Sequence, residues 1–349
     1  MRVLITNNTL AERAGTELYV RDLALGLLRR GHTPIAYSTD LGEVAEEIRA
    51  AGIAVFDNLD DIETPPDVIH GQHHLDAMTA LLHFPEVPAL YMCHGAIPWV
   101  ELPPRFPRIL RYVAVDRACL DRLLFEGRIS EARTRLLLNF VDLNRFKPRP
   151  PLPPQPRRAL FFSNRVTPRD VVPEVQKACD RAGLMLDVFG MNVGKVCAEP
   201  EVLLPGYDIV FAKGRAALEA LAVGAAVILC DVKGAGPMVN MQNVEKLRPL
   251  NFGLRALASP VTVPGLMREI ARYDALDAAQ VSEFIRTDAG IETVLDEMIS
   301  LYEEILVEYG NAPHDADAER RAAALYLREL SPQFKTLLTK EGDLESILR

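Results

Sequence analysis

FAKGRAALEALAVGAAVILCD, Phe211 to Asp231, reads as a glycine turn, a short helix with one internal acid, a glycine stop and a buried strand. Gly214 lets the backbone approach a ligand closely, and the helix that follows turns its free N–H groups and positive dipole end towards that spot. Glu219 lies about one and a half turns in, early enough to share the ligand face. Gly224 ends the helix, and Ala225 to Leu229 form the apolar run of a buried parallel strand. An α/β protein can hold a phosphorylated nucleoside in this way, with the dipole on the phosphates and the carboxylate on the ribose hydroxyls. The alternative is an ordinary core helix with a solvent-facing Glu.

Outward from this stretch, strand and helix signals alternate along most of the chain. Before it come Arg2–Thr6, Ile35–Ser38, Ala54–Phe56, Val68–His70, Ala89–Cys93, Tyr112–Val115 and Arg135–Leu138 as short apolar strands. A helix is expected from Gly15 to Arg30, with Leu23, Ala24, Leu27 and Leu28 as its apolar stripe and Gly31 as its stop. KPRPPLPPQPRR, Lys147 to Arg158, holds six prolines and suits an extended connector. The rhythm restarts at Ala159–Ser163 and continues through Leu186–Phe189, Ile209–Phe211 and Ala226–Leu229. The fold expected is α/β: an N-terminal half at 1–147, a linker at 148–158, a second half at 159–309 and a helical extension at 310–349. Two halves joined in this way imply a cleft where the carboxyl ends of their strands face each other. Ile291–Leu306 reads as an amphipathic helix. The extension reads as one or two packed surface helices, with dimerisation or partner binding left open.

Composition bounds the function. The 349 residues are 49% hydrophobic and 25% charged, as in a soluble globular protein. A net charge of −9 argues against non-specific nucleic-acid binding. The five cysteines, Cys93, Cys119, Cys179, Cys197 and Cys230, form no CxxC pair and read as reduced thiols. MRVLIT opens directly into a strand without a secretory pattern, so the expected location is cytoplasmic. The region Arg105 to Arg149 is rich in arginine. It is read either as a face for an anionic lipid surface or phosphorylated acceptor, or as a solvated helix face.

Several further residues are candidates for chemistry. Gly15 sits at a helix start, where its amide can face a phosphate or a sugar, although no full GxGxxG is present. His94 follows a strand's carboxyl end, the position of α/β active-site groups. Arg165 and Arg169 lie just after the second half's first strand and can neutralise a diphosphate leaving group. Lys213 and Arg215 bracket Gly214 and can reinforce the same phosphate pocket. His70, His73 and His74 form HxxHH without a third-ligand pattern, and read as cleft lining rather than a metal site. Plain turn, loop and surface roles are the alternatives for each.

Taken together, these segments resemble the retaining nucleotide-sugar glycosyltransferases of family 4, which have the GT-B fold of two facing Rossmann-like domains. AGTELYVRDLALGLLRRGHTPIAYS is similar to the family's GGxE helix, and DVIHGQHH and ALYMCHGAIPW to its histidine-bearing strand ends. YVAVDRACLDRLLFEGRISEARTRLLLNFVDLNRFKP, SNRVTPRD and GRAALEALAVGAAVIL follow in family order, so that the resemblance spans roughly residues 2 to 306. It implies that Gly15 approaches the donor diphosphate and that His94 lies near the transferred sugar. Arg165 and Arg169 would contact the diphosphate, and Glu219 would hold the ribose.

The implied activity is a hexosyltransferase-like transfer with retention, from a nucleotide sugar, a UDP-sugar being expected, and without a metal ion. The acceptor would be a glycan, lipid-linked or small-molecule hydroxyl, on the side of His70, His73 and His74. A peripheral position at the inner membrane face and a homodimer stay open. The chain departs from the family at Phe211, where the first Glu of E-x7-E is usual, and at Ala14, Asp116, Phe140 and Lys213. Arg169 also stands one residue closer to Arg165 than the usual basic pair. Either the donor sugar is held differently, or transfer is weakened or lost. The alternatives are therefore a degenerate protein binding nucleotide sugar or a partner enzyme, and a sugar-nucleotide epimerase.

Overall fold

The structure, a computed structural model, describes residues 1–311 and 315–347. The first half runs β1 (Arg2–Thr6), α1 (Gly15–Arg29), β2 (Thr33–Tyr37), α2 (Glu43–Ala50), β3 (Ala54–Phe56), β4 (Val68–Gln72), α3 (His74–His83), β5 (Ala89–Cys93), β6 (Ile109–Ala114), α4 (Arg117–Asp121) and β7 (Thr134–Leu136). Its seven strands are ordered β3-β2-β1-β4-β5-β6-β7 and all pair in parallel. Strands that are apolar on both faces can form only a sheet covered by helices on both sides, which is what the continuous runs such as VLI and ALYMC dictate.

The second half runs β8 (Arg158–Phe162), α5 (Val172–Ala182), β9 (Met185–Phe189), α6 (Pro200–Leu203), β10 (Ile209–Ala212), α7 (Gly214–Val223), β11 (Ala226–Asp231), β12 (Gly234–Met238), α8 (Val244–Leu247), α9 (Val263–Ile270) and α10 (Ala275–Asp288). Its order is β12-β11-β10-β8-β9, parallel except for β12. The antiparallel β12 was not expected, because GAGPM lacks the β-branched and aromatic residues that mark strands. In each sheet the strand order reverses at one point, between β1 and β4 and between β8 and β10. Crevices for ligands open at the carboxyl ends of strands at such points.

The expected amphipathic helix forms as α11 (Ile291–Gly310). Its buried face does not belong to the second half's core, however. Ile291, Val294, Leu295, Met298, Leu301, Tyr302 and Ile305 pack in the first half's core, beside α1, β5 and β6. Conversely Val141 and Phe146 lie in the second half's core. The chain crosses between halves where Val141 and Gly290 bridge, with Val141 N–H donating to Ala289 O at 2.8 Å and Ile291 N–H to Val141 O at 3.1 Å. Gly26 lets α1 and α11 meet, since a Cβ there would lie 2.6 Å from Leu295 Cδ1. At roughly 1.5–3 kcal/mol per large side chain, the buried face of α11 stabilises this crossover by on the order of 10 kcal/mol as an upper bound.

The extension folds as one long helix, α12 (Ala316–Ile347), on the first half. Glu319 accepts from Arg108 Nε at 2.9 Å, and Arg105 pairs with Glu329 at 2.5 Å. Leu330 is buried. Residues 312–314 and 348–349 of the expected extension lie outside the described residues. Among the described residues no helix is long and apolar enough to cross a membrane.

Candidate active site between the two halves

β10 runs directly into α7, with Lys213 as the N-cap and no side-chain cap. Gly214 has φ +58, the left-handed region that a side chain strains to adopt, and a Cβ there would meet nothing within 4 Å. Its N–H donates to Phe252 O at 2.8 Å. Asn251 and Phe252, at φ 53 and 51, are consecutive non-glycine residues in left-handed backbone, both buried. Such backbone costs of order 1–3 kcal/mol per residue and concentrates at functional sites. The next two amides, of Arg215 and Ala216, have no partner among the described residues, so they are available to an anion.

The seamless passage from β10 to α7 explains the departure at Phe211. That residue is a strand position, wholly buried, with its ring 6.3 Å from that of Phe161. Only Lys213 separates β10 from α7 at this point. A different acid comes near. Asp231, at the carboxyl end of β11 and 0% exposed, accepts from Ser163 Oγ at 2.9 Å and pairs with Lys213 Nζ at 3.1 Å. Lys213 is thus held by Asp231 rather than free beside Gly214. Sequence reasoning missed Asp231, although an acid closing an apolar run at a parallel strand's carboxyl end was the signal.

Glu219 is buried and accepts from Arg215 Nε at 2.7 Å. Arg215 also reaches across the cleft to Asp22 on α1. Asp22 accepts from Arg21 Nε and Nη2 at 2.9 and 2.8 Å, and Arg145 Nη1 lies 3.5 Å away. Burial opposes the charge on both Asp22 and Arg215. Their mutual attraction outweighs it, lowering the Asp22 pKa and raising that of Arg215. Burial holds the Glu219 carboxyl above its ordinary range against the pull of Arg215. The expected ribose carboxylate is therefore already occupied by the neighbouring arginine.

Arg165 and Arg169 are exposed, and neither side chain forms an ion pair or hydrogen bond among the described residues. The turn that carries Arg165 touches the first half: Asn164 Nδ2 donates to Arg13 O at 3.2 Å. Arg13 stands two residues before Gly15, which opens α1 behind the N-cap Ala14. The structure thus brings Gly15, Arg165 and the α7 start to one cleft.

The histidines diverge. His70 Nδ1 is 2.7 Å from Tyr302 Oη, and His74 Nδ1 is 2.7 Å from Tyr326 Oη on α12. His73, the N-cap of α3, accepts from Asn8 N–H at its Nδ1 at 2.9 Å, and its Nε2 lies 3.5 Å from Glu101 Oε1. His94 donates its backbone N–H to the other Glu101 oxygen at 2.9 Å and sets its ring edge-on to Tyr19 at 4.5 Å. His73 and His94 thus share Glu101, whereas His70 and His74 are tied to separate tyrosines. Burial pushes the pKa of His70 down to about 3, and those of His74 and His94 to about 4, so all three are neutral at pH 7. Burial pushes Asp76 up to about 6. Glu101, Asp76 and Tyr19 went unnoticed in the sequence.

Two cavities border this region: Ala198, whose carbonyl accepts from Arg13 Nη2 at 2.7 Å, lines one, and Trp99, whose ring lies 4.6 Å from that of His74, lines the other. One of about 480 Å³ borders the edge strand β9 and is lined by Phe189, Val196, Cys197 and Tyr207. The other, about 370 Å³, lies between Trp99 and the α12 residues Gln333, Phe334 and Thr336. Neither coincides with the start of α7, where Arg215 and Asp22 bridge the walls.

No protein-family model and no curated protein matches this chain. Solved structures do. A glycosyltransferase from Rickettsia africae ESF-5 aligns with a TM-score of 0.61 at 16% identity, over 87% of this chain and 98% of that one. HepE from Anabaena, in complex with UDP and glucose, aligns with a TM-score of 0.61 at 14% identity, over 87% and 100%. Sucrose-phosphate synthase from Thermosynechococcus elongatus aligns at 0.57 and 15%, over 88% and 99%. At such identities the likeness is one of fold: this chain has the GT-B architecture, two Rossmann-like halves facing across a cleft.

Proposed function

We propose that this protein is a glycosyltransferase that takes a sugar from a nucleotide donor, a UDP-sugar in the first instance, and passes it to a hydroxyl acceptor with retention. The observation that carries the reading is the start of α7. An uncapped helix end with a positive-φ glycine faces a cleft at two strand-order reversals and is flanked by cations. Donor diphosphate on the α7 amides gives Arg215 a second anion to bind, which frees Glu219 for the ribose hydroxyls. Arg165 and Arg169 meet the charge that develops on the leaving diphosphate as the glycosidic bond breaks. Neutral His94 accepts or donates a hydrogen bond at the sugar. The acceptor, free or lipid-linked, enters on the first half's side, near His73 and His74.

The seamless β10–α7 junction favours a second reading, in which nucleotide sugar binds without transfer. Incubation with UDP-, GDP- and ADP-linked sugars, followed by assay of released nucleotide, separates the two. Slow release from at least one donor supports transfer. Binding without release from any donor supports the second reading, and no binding of any nucleotide sinks both.

A further inference from the structure

Beneath α1, one face of the first sheet carries polar atoms that have no hydrogen-bond partner among the described residues. The parallel register sets Ile5 beside His70, and His70 and Gln72 beside Leu90 and Met92. Alternate residues of a strand share a face. Continued one step past the strand ends, this alternation places Asn7, His70, Gln72, Met92 and His94 on one side. They sit at the carboxyl ends of β1, β4 and β5, spanning the point where the strand order reverses. α1 covers that side through Tyr19, whose hydroxyl has Met92 Sδ at 3.7 Å and whose ring lies 6.2 Å from that of His70 and 4.5 Å from that of His94.

Asn7, His70 and Gln72 are 0% exposed. Asn7 Oδ1, His70 Nε2, His94 Nε2 and both polar atoms of the Gln72 amide nevertheless have no hydrogen-bond partner among the described residues. Proteins satisfy such atoms with protein groups, water or ligand, because each orphan costs stability. Gln72 is the extreme case, with its donor and its acceptor both unmet in a wholly buried side chain. The set also lacks charge: burial keeps His70 and His94 neutral, and the other members carry none. A phosphate would want cations here, and among the described residues no group of three or more His, Cys, Asp or Glu could hold a metal ion. Hydroxyl groups, which both donate and accept, match amides and neutral imidazoles.

We infer that these residues form a recognition site for an uncharged polyhydroxy ring, belonging to the donor or the acceptor sugar, with Gln72 determining its specificity. The inference rests on the proposed transfer reaction for the source of the sugar, but not for the chemistry of the site. Gln72→Met keeps the length of the side chain and deletes both unmet atoms, so it separates recognition from folding. Removing an unpartnered amide should leave the melting temperature of the free protein unchanged or raise it.

Calorimetry with UDP, UDP-glucose, UDP-galactose and UDP-N-acetylglucosamine forms the donor arm. Ligand-observed NMR with free glucose, galactose, mannose and N-acetylglucosamine, with and without UDP, forms the acceptor arm. In the unaltered protein, at least one sugar in one arm should bind, adding tenfold or more over UDP alone in the donor arm. Gln72→Met should abolish that gain while leaving UDP affinity unchanged, and the responding arm names the source. A gain that survives Gln72→Met, or no sugar-dependent binding in either arm, overturns the site and leaves buried water as its occupant. A fall in melting temperature on Gln72→Met would overturn it too, by showing the amide to be a structural partner. Asn7→Ala, just past the end of the neighbouring β1, is a second variant, and it should lower the same sugar-dependent gain. If UDP does not bind but a free sugar does, dependent on Gln72, the nucleotide reading fails and the site stands.

Discussion

The two walls of the cleft differ in how their polar groups are matched. Around α7, the charges of Arg215, Glu219, Lys213 and Asp231 are paired with one another or with Asp22 across the cleft. Beneath α1, the neutral groups of Asn7, His70, Gln72 and His94 leave hydrogen-bonding capacity unused. A matched wall must exchange partners to bind, and ligand charge is what drives such an exchange. An unmatched wall binds without exchange and gains stability when filled. The difference suits a molecule that is charged at one end and hydroxylated at the other.

Removing the keystone of the matched wall should have the largest effect. Asp22→Asn leaves Arg21 and Arg215 without their shared carboxylate, and breaking a buried pair of this kind costs roughly 3–5 kcal/mol. Urea denaturation measures the loss, and a change below about 1 kcal/mol would show that the bridge across the cleft is not a matched wall. His94→Ala acts on the unmatched wall. It should cut kcat by about a hundredfold, the range for a positioned acid–base or hydrogen-bonding group, with little change in UDP affinity. Full turnover would remove His94 from the chemistry. Glu219→Gln should weaken UDP binding about tenfold, or about 1.4 kcal/mol; unchanged affinity would mean that Glu219 serves only Arg215.

The smallest effect is one of pH. An unfolded histidine takes up a proton near 6.5, whereas in the fold His70, His74 and His94 resist protonation down to about 3, 4 and 4. The unfolded chain binds more protons between those values. The stability they contribute is therefore complete above pH 6.5 and is lost as the pH falls. Asp76 works the other way: raised from 3.8 to about 6, it costs stability above pH 6 and less on acidification. Glu17 and Glu219, also raised by burial, act with Asp76, and His32, lowered by burial, acts with the other histidines. The histidines start from 6.5 and titrate through this range in the unfolded chain, so the melting temperature should fall from pH 6.5 to 5. His70→Gln, which keeps an acceptor for Tyr302, should flatten that slope. An unchanged slope would show that His70 is not the buried neutral group described.

Much of the fold was legible because parallel strands buried on both faces are continuous apolar runs, as in β1, β5 and β11. Periodicity also marked the apolar face of α11. It could not say which core receives that face, because the answer depends on Gly26 facing Leu295 across 269 positions of chain. β12 was hidden by its glycines and proline. At the site, Gly214 and Glu219 stood out because their spacing is local. The pairing of Arg215 with Asp22, the hold of Asp231 on Lys213 and the orphaned amide of Gln72 were not legible. Each is a relation between distant segments, and the residue types alone are those of any solvated surface or core.

A crystal structure of the protein with UDP bound tests the central claim most directly. The account predicts the diphosphate within about 3.2 Å of the first amides of α7, with Arg215 turned away from Asp22 and Glu219 on the ribose. UDP seated elsewhere, for instance in the cavity beside β9, or a cleft still bridged by Arg215 and Asp22 at saturating nucleotide, would contradict it.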